Sequence, residues 1–255
     1  MHGLLHKFFK IAILRLFGAK INRFKSSSRN HISTPILIQS KLGCIVFSKF
    51  RKIDIFQATE KRLLLHIPSG KIVTVDPFMY LNKDTKAFCQ KVPKGNYKVK
   101  ALITEDKRIA AVRINFSDML TIQYYRAIIG TEPQASLDDF KYREENLGFP
   151  VGSGLATIID DRVKKQFLSF IISWEKNHRN ENIYDGFFAA LFEKSAKKYP
   201  NFQTSDGDFI DFSIPNSEYH IPIFSTGYGD GFYPVFFGYD KKGKISSVLI
   251  KFIDI

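Results

Sequence analysis

The pattern of hydrophobic and polar positions places strands at both ends of the chain and helices in its middle. Short apolar runs, rich in β-branched and aromatic residues and bounded by turn formers, predict strands. These runs are 36–38, 44–47, 72–75, 96–104, 108–116, 155–160, 209–214, 219–225, 232–239 and 245–253. Because only three charged residues join 96–104 to 108–116, these two runs are typical of an antiparallel hairpin.

Two longer segments, about 163–174 and 182–198, show helical spacing of their apolar side chains. Asp160 or Asp161 is expected to be the N-cap of the first, because a carboxylate there accepts hydrogen bonds from unpaired backbone N–H groups. A further helical turn is expected within 57–65. Residues 117–150 lack clear periodicity and are expected to form a connection with one short helix.

Strands that bracket a helical middle favour an α+β fold, a largely antiparallel sheet with the two central helices packed on one side. Segment 224–240 stands out, because two aromatic runs flank a loop with three glycines. It predicts a hairpin-like loop with Asp230 at its apex. We expect a single domain over 54–255, preceded by a basic N-terminal extension and linker over 1–53.

Composition excludes a disordered chain, because 44% of the 255 residues are hydrophobic and 15% are aromatic. The sequence contains only two cysteines, Cys44 and Cys89, with neither a pairing motif nor companion ligands at zinc-like spacing. We expect both to be reduced thiols, which favours a cytoplasmic location.

The formal charge of +13 is concentrated at the N-terminus, since the first 53 residues hold 11 of the 38 Lys and Arg and none of the 25 Asp and Glu. Residues 1–28 predict an amphipathic basic helix followed by a serine-rich linker. Arg15 interrupts the apolar run, which disfavours a secretory signal, and the uncharged stretch is too short to span a bilayer.

The role of this N-terminal segment has two main interpretations. It could contact a membrane surface or a partner protein, or it could be a solvated or core-docked extension. Nucleic-acid binding is disfavoured, because the phenylalanines of 1–28 lie on the apolar face rather than beside the charges.

Three carboxylates are candidates for chemistry: Asp76, Asp160 and Asp230. If they converged, they could bind Ca²⁺ or Mg²⁺ or could act as a general acid and a general base. Each alone is more typical of an aspartate that accepts hydrogen bonds from nearby backbone N–H groups. The residues therefore leave metal binding open, and we expect no cofactor.

Two other polar residues, Ser153 and His220, are candidate reactive groups. Ser153 lies between glycines, but Val151 breaks the Gly-x-Ser-x-Gly pattern of a nucleophile elbow. His220 has no second histidine at metal-ligand spacing, and we expect it to be a strand residue held by a hydrogen bond.

Three blocks of sequence, 68–77, 151–160 and 225–240, together resemble DUF4241, an uncharacterised bacterial family. The resemblance covers about 60–255. It implies a shared pattern that this chain matches at Asp76, Gly154, Asp160, Gly229, Asp230, Gly231, Tyr233, Pro234 and Asp240. One departure is the lack of an acidic residue near Gly152, which would put activity in doubt if that acid were a ligand in the family.

Two hypotheses about function follow. The favoured one is an intracellular binding or regulatory module, including one of the immunity type, which recognises a protein partner through its Gly-Asp-Gly loop. The alternative is a metal-dependent or hydrolase-like enzyme built on the three aspartates. The candidate binding or active-site residues are Asp76, Ser153, Gly154, Asp160, His220, Gly229, Asp230, Gly231, Tyr233 and Asp240.

Overall fold

Strands account for most of the regular structure in the computed structural model, which describes residues 51–53, 63–130 and 148–254. The predictions for 1–28, 36–38 and 44–47 lie outside these residues. In chain order the strands are β1 (Arg51–Ile53), β2 (Leu64–Ile67), β3 (Ile72–Val75), β4 (Gly95–Ile103), β5 (Ile109–Asn115), β6 (Gln123–Arg126), β7 (Phe149–Val151), β8 (Leu155–Asp160), β9 (Phe209–Ser213), β10 (His220–Ser225), β11 (Gly231–Tyr233), β12 (Val235–Tyr239) and β13 (Ile245–Lys251).

These strands form three antiparallel sheets. A seven-stranded sheet has the order β1-β4-β5-β13-β12-β6, with β2 also paired to β4. A four-stranded sheet has the order β3-β8-β10-β9, and β7 pairs with β11 in a short two-stranded sheet. The predicted hairpin of β4 and β5 is confirmed.

Two helices cover one face of the four-stranded sheet. They are α1 (Asp161–Asn177) and α2 (Ala189–Lys198), the second preceded by a π-helical turn at Tyr184–Phe188. Their buried aromatic side chains, including Phe167, Phe188 and Phe192, pack with the sheet in one core cluster. None of the helices in the described residues is long and apolar enough to cross a membrane.

The other face of the four-stranded sheet packs against the seven-stranded sheet. Strand β8 therefore lies between two cores: Ala156 and Ile158 face the second sheet, while Leu155 and Ile159 face the helices. This position explains why β8 is a continuous apolar run rather than an alternating one. The α+β class with antiparallel sheets and two helices is confirmed.

Three local predictions were wrong. The segment 224–240 is not a hairpin, because β10 belongs to the four-stranded sheet and β12 to the seven-stranded sheet. Pro234, which has no N–H to donate, separates β11 from β12 within the predicted strand 232–239. Strands β6 and β7 formed within the expected connection 117–150. Most of 57–65, where a helical turn is expected, lies outside the described residues, and Leu64 and Leu65 belong to β2.

The start of α1 is fixed by Asp160, as one of the two predicted N-caps. Its Oδ1 accepts a hydrogen bond of 2.8 Å from Arg162 N, and its Oδ2 accepts bonds from Ser69 N and Ser69 Oγ at 2.9 and 2.7 Å. The side chain is fully buried. Asp160 thus ties the turn between β2 and β3 to the helix.

Replacement of Asp160 by alanine is expected to lower the free energy of unfolding by about 2 kcal/mol, because the helix loses its cap and the Ser69 donors lose their acceptor. Urea denaturation measures the change. In Asp160→Asn the remaining oxygen can still cap Arg162 N and the NH2 group can donate to the Ser69 hydroxyl, so that only Ser69 N loses its acceptor; this variant should lose clearly less, which makes it the matched control. Equal stability of the alanine variant and the unmodified protein would contradict this role.

Candidate functional site

The three sequence blocks meet at one end of the four-stranded sheet. Strand β3 pairs with β8 and β8 pairs with β10, so that the end of β3, the start of β8 and the end of β10 lie side by side. Asp76 follows β3, residues 152–154 lead into β8, and residues 226–231 follow β10. We call 226–231 the Gly-Asp-Gly loop.

Asp76 is the centre of this end of the sheet, and its carboxylate is fully buried. Oδ1 accepts hydrogen bonds from Phe78 N, Met79 N and Ser153 Oγ at 2.9, 3.0 and 2.8 Å. Oδ2 accepts bonds from Gly152 N and Ser153 N at 2.9 and 2.8 Å. Five donors thus occupy both oxygens, which is the hydrogen-bonding that a buried carboxylate requires.

Gly154 connects this centre to the Gly-Asp-Gly loop. Its N–H donates to Asp230 Oδ1 at 3.0 Å, and its carbonyl oxygen accepts from Thr226 N and Thr226 Oγ1 at 3.1 and 3.0 Å. Its φ of +68° is a conformation that favours glycine. Asp230 therefore helps hold the two loops together, while Asp76 anchors the first of them.

Within the loop, residues 226–229 form a turn in which Gly229 N donates to Thr226 O at 3.0 Å. Gly229 has a φ of +101°, and a Cβ atom there would meet nothing within 4 Å, so conformation rather than space requires glycine. The phenol oxygen of the buried Tyr233 lies 2.6 Å from Gly229 O and 3.0 Å from Thr226 O. Burial raises the pKa of Tyr233, which keeps the hydroxyl protonated and able to donate its one proton to either of these carbonyls.

Two exposed aromatic residues flank the carboxylate of Asp230 in the chain, Tyr228 within the loop and Phe232 in β11. Tyr228 is 72% exposed and Phe232 is 55% exposed. Asp230 is exposed between them in the chain, and no hydrogen bond within the described residues involves its Oδ2. Both aromatic side chains are therefore largely in contact with solvent rather than packed in a core.

Arg108, from the turn between β4 and β5, fixes the exposed ring of Tyr228. Its guanidinium carbon lies 5.0 Å from the ring centroid, and its Nη1 donates to Gly227 O at 3.1 Å. Asp106 holds the guanidinium from the other side through a 3.0 Å ion pair with Nε. The larger sheet thus contributes an arginine to the loop of the smaller one.

The remaining candidates lie elsewhere. Asp160 pairs with Ile72, four residues or about 13 Å of strand from Asp76. His220 begins β10, at the end opposite Ser225. Asp240 lies in the turn after β12, where Oδ1 accepts from Lys242 N and Lys244 N at 2.8 and 3.0 Å. The site therefore brings together Asp76, Ser153, Gly154, Gly229, Asp230, Gly231 and Tyr233.

The three aspartates of the enzyme hypothesis do not form one centre. Asp160 is separated from the other two by the length of the strand, and both oxygens of Asp76 are already occupied by backbone and serine donors. Among the described residues no group of three or more His, Cys, Asp or Glu could hold a metal ion.

Sequence reasoning missed the residues that form the outer surface of the site. Tyr228 lies in the predicted loop and Phe232 begins the predicted strand 232–239, but neither is among the predicted site residues; each adjoins a glycine, which is the signal for exposure. Arg108 comes from the distant β4–β5 turn, and no local pattern connects it to the loop. Thr226, whose hydroxyl lies 2.7 Å from Gly229 O, was also missed.

The fold and site define an α+β protein in which a seven-stranded and a four-stranded antiparallel sheet share a core. A glycine-rich loop is held at one end of the four-stranded sheet. The chain belongs to the DUF4241 family, described as a protein of unknown function, whose model matches residues 65–250. No curated protein and no solved structure matches the chain.

A pair of histidines lies at the opposite end of β10 from the loop. His220 Nδ1 is 3.2 Å from Asp211 Oδ2, which confirms the predicted hydrogen-bonded strand histidine, and its ring centroid is 5.7 Å from that of His66. Burial, and secondarily the charge of His220, lowers the pKa of His66 below its ordinary 6.5, while Glu218 acts weakly in the opposite direction.

The lowered pKa of His66 predicts a pH-dependent stability. Because the unfolded chain binds a proton on this residue more readily than the folded chain, stability is present above the ordinary pKa and falls as the pH drops below about 6.5. His66→Gln should lessen this loss in urea denaturation at pH 7.5 and 5.5. An unchanged pH dependence in the variant would contradict the assignment.

Proposed function

We propose that the protein is a binding or regulatory module that recognises a protein partner through the outer side of the Gly-Asp-Gly loop. The observation that carries this proposal is the exposure of Tyr228 and Asp230 in the loop and of Phe232 in the following strand β11, beside a loop backbone held by hydrogen bonds from Gly154, Thr226 and Tyr233. Tyrosine and arginine are enriched among the residues that dominate binding energy at interfaces. Tyr228 and Arg108 supply that combination here.

Preorganisation supports the same proposal. Thr226, Tyr233 and Gly154 fix the loop backbone, and Arg108 restrains the Tyr228 ring, so that little conformational entropy remains to be lost on binding. Asp230 uses one oxygen to hold Gly154 and leaves the other for a donor on the partner. A cation or N–H group on the partner would complete its hydrogen bonding.

The surface continues onto the neighbouring segment. Tyr80 is 42% exposed and lies over residue 152, where a Cβ atom would approach its hydroxyl to 3.2 Å. Strand β7, which leads into this segment, pairs Pro150 with Phe232. A third exposed aromatic ring thus lies on a segment next to the loop, and several such rings suit a protein partner better than a small molecule.

The finer proposal is a module of the immunity type, which protects a cell by binding and blocking a toxic protein. Co-expression with such a toxin should then preserve growth, and Tyr228→Ala should abolish the protection without loss of folded protein. The predicted cytoplasmic location and the predicted contacts of 1–28 with a membrane or partner remain proposals as well.

The test is site-specific photocrosslinking in the cells that carry the gene. A benzophenone amino acid at position 232 should yield an adduct with one protein. The same probe at position 172 should not, although Ile172 on α1 is 64% exposed. After purification of that protein, titration calorimetry should show at least about tenfold weaker binding for Tyr228→Ala and Phe232→Ala. Asp230→Ala should also weaken binding.

Matched controls separate binding from folding. Ile172→Ala should bind as the unmodified protein does, and all four variants should melt within a few degrees of it, since the exposed side chains carry little of the core. Equal affinity of the partner for the loop variants and for Ile172→Ala would contradict the proposal. So would an adduct that forms equally from positions 172 and 232.

A further inference from the structure

A concave surface lies at the other end of β12 from the Gly-Asp-Gly loop. It is a cleft of about 550 Å³, formed by the segment before β4, the segment after β5 and the turn between β12 and β13. Five residues of β12, about 16 Å, separate it from β11 and the loop. The cleft is therefore distinct from the proposed recognition surface.

The charge of this cleft is positive. Lys91, Lys242 and Lys244 line it, and all three are exposed. Within the described part of the chain, none of these ammonium groups forms an ion pair. Three like charges around one concavity attract a counter-ion from solution.

One carboxylate, that of Asp240, also lines the cleft, but it is directed to the backbone of its own turn. Its Oδ1 accepts hydrogen bonds from Lys244 N and Lys242 N, and these bonds lower the pKa of Asp240. The residue is 5% exposed. Asp240 therefore fixes the turn that carries two of the lysines. The charges of Lys242 and Lys244 also help to lower the pKa of Asp240, but within the described residues neither ammonium group forms an ion pair with it.

The rest of the lining is apolar. Val92, Pro93, Met119 and Ile245 contribute hydrocarbon, and Met119 is 41% exposed although it is a large hydrophobic side chain. No aromatic side chain is among the described lining residues, which disfavours stacking of nucleotide bases. An apolar floor with a few convergent charged groups is the usual composition of a small-molecule site, and the volume lies within the usual range of about 300–1,000 Å³.

We propose that this cleft binds a free amphipathic anion, a small molecule with a carboxylate or phosphate group on an apolar body. The ammonium groups of Lys242, Lys244 and Lys91 take the anionic group, and Met119 and Ile245 contact the apolar body. An inorganic anion would use the lysines but not the exposed Met119, and an uncharged hydrocarbon would use Met119 but not the lysines. A ligand with both parts accounts for both features of the cleft.

The test uses three probes with the full-length protein: octyl phosphate, inorganic phosphate and octyl glucoside. Titration calorimetry should show saturable binding of octyl phosphate that is at least about tenfold tighter than that of either other probe. The double variant Lys242→Ala, Lys244→Ala should bind octyl phosphate about tenfold more weakly. Its backbone N–H groups still reach Asp240, so the turn should be retained, as thermal melting would verify.

Two further variants make the test specific. Met119→Ser should also weaken octyl phosphate binding, whereas Lys241→Ala, in the same turn but outside the cleft lining, should leave it unchanged. Equal effects of Lys241→Ala and the double variant would overturn the proposal, as would equal affinity for inorganic phosphate. Pelleting with phosphatidylglycerol vesicles that depends on Lys242 and Lys244 would also overturn it, in favour of a lipid headgroup.

Discussion

The buried carboxylate of Asp76 is the interaction on which the rest of the site depends. Five hydrogen bonds from residues 78–79 and 152–153 converge on its two oxygens, and no cation among the described residues pairs with it. A buried charge without such donors would be expensive, and donors without the charge would be left unsatisfied. Asp76 therefore determines the path of both segments at once.

Asp76 also positions the residues that follow those it binds directly. With residues 152–153 fixed, Gly154 presents its N–H to Asp230 and its carbonyl to Thr226, and Tyr233 closes the loop from the core side. The exposed side chains are Tyr228 and Asp230 within the loop and Phe232 in β11, and one oxygen of Asp230 accepts no hydrogen bond from the described residues. Both oxygens of Asp76 and one oxygen of Asp230 thus hold the backbone of these segments in place.

Much of the fold could be predicted from local pattern, and the site could be predicted only in part. The β4–β5 hairpin, β8, α1 with its Asp160 cap and α2 follow from period and capping chemistry. The pairing of β10 and β12 with different sheets does not, because strand partners are set by packing at long range. For the same reason the sequence could propose that three aspartates meet, but only the register of β3 with β8 shows that Asp160 lies apart.

The role of Asp76 is tested by hydrogen exchange of backbone amides in the Asp76→Asn and Asp230→Ala variants. The amide of Asp76→Asn would place its own N–H groups against donors. We therefore expect faster exchange in both 152–154 and 226–231 of this variant, with a loss of about 3 kcal/mol in the free energy of unfolding. Asp230→Ala should affect mainly Gly154 and leave global stability nearly unchanged. Unchanged exchange in 226–231 on loss of the Asp76 carboxylate would show that Asp76 does not hold the Gly-Asp-Gly loop in place.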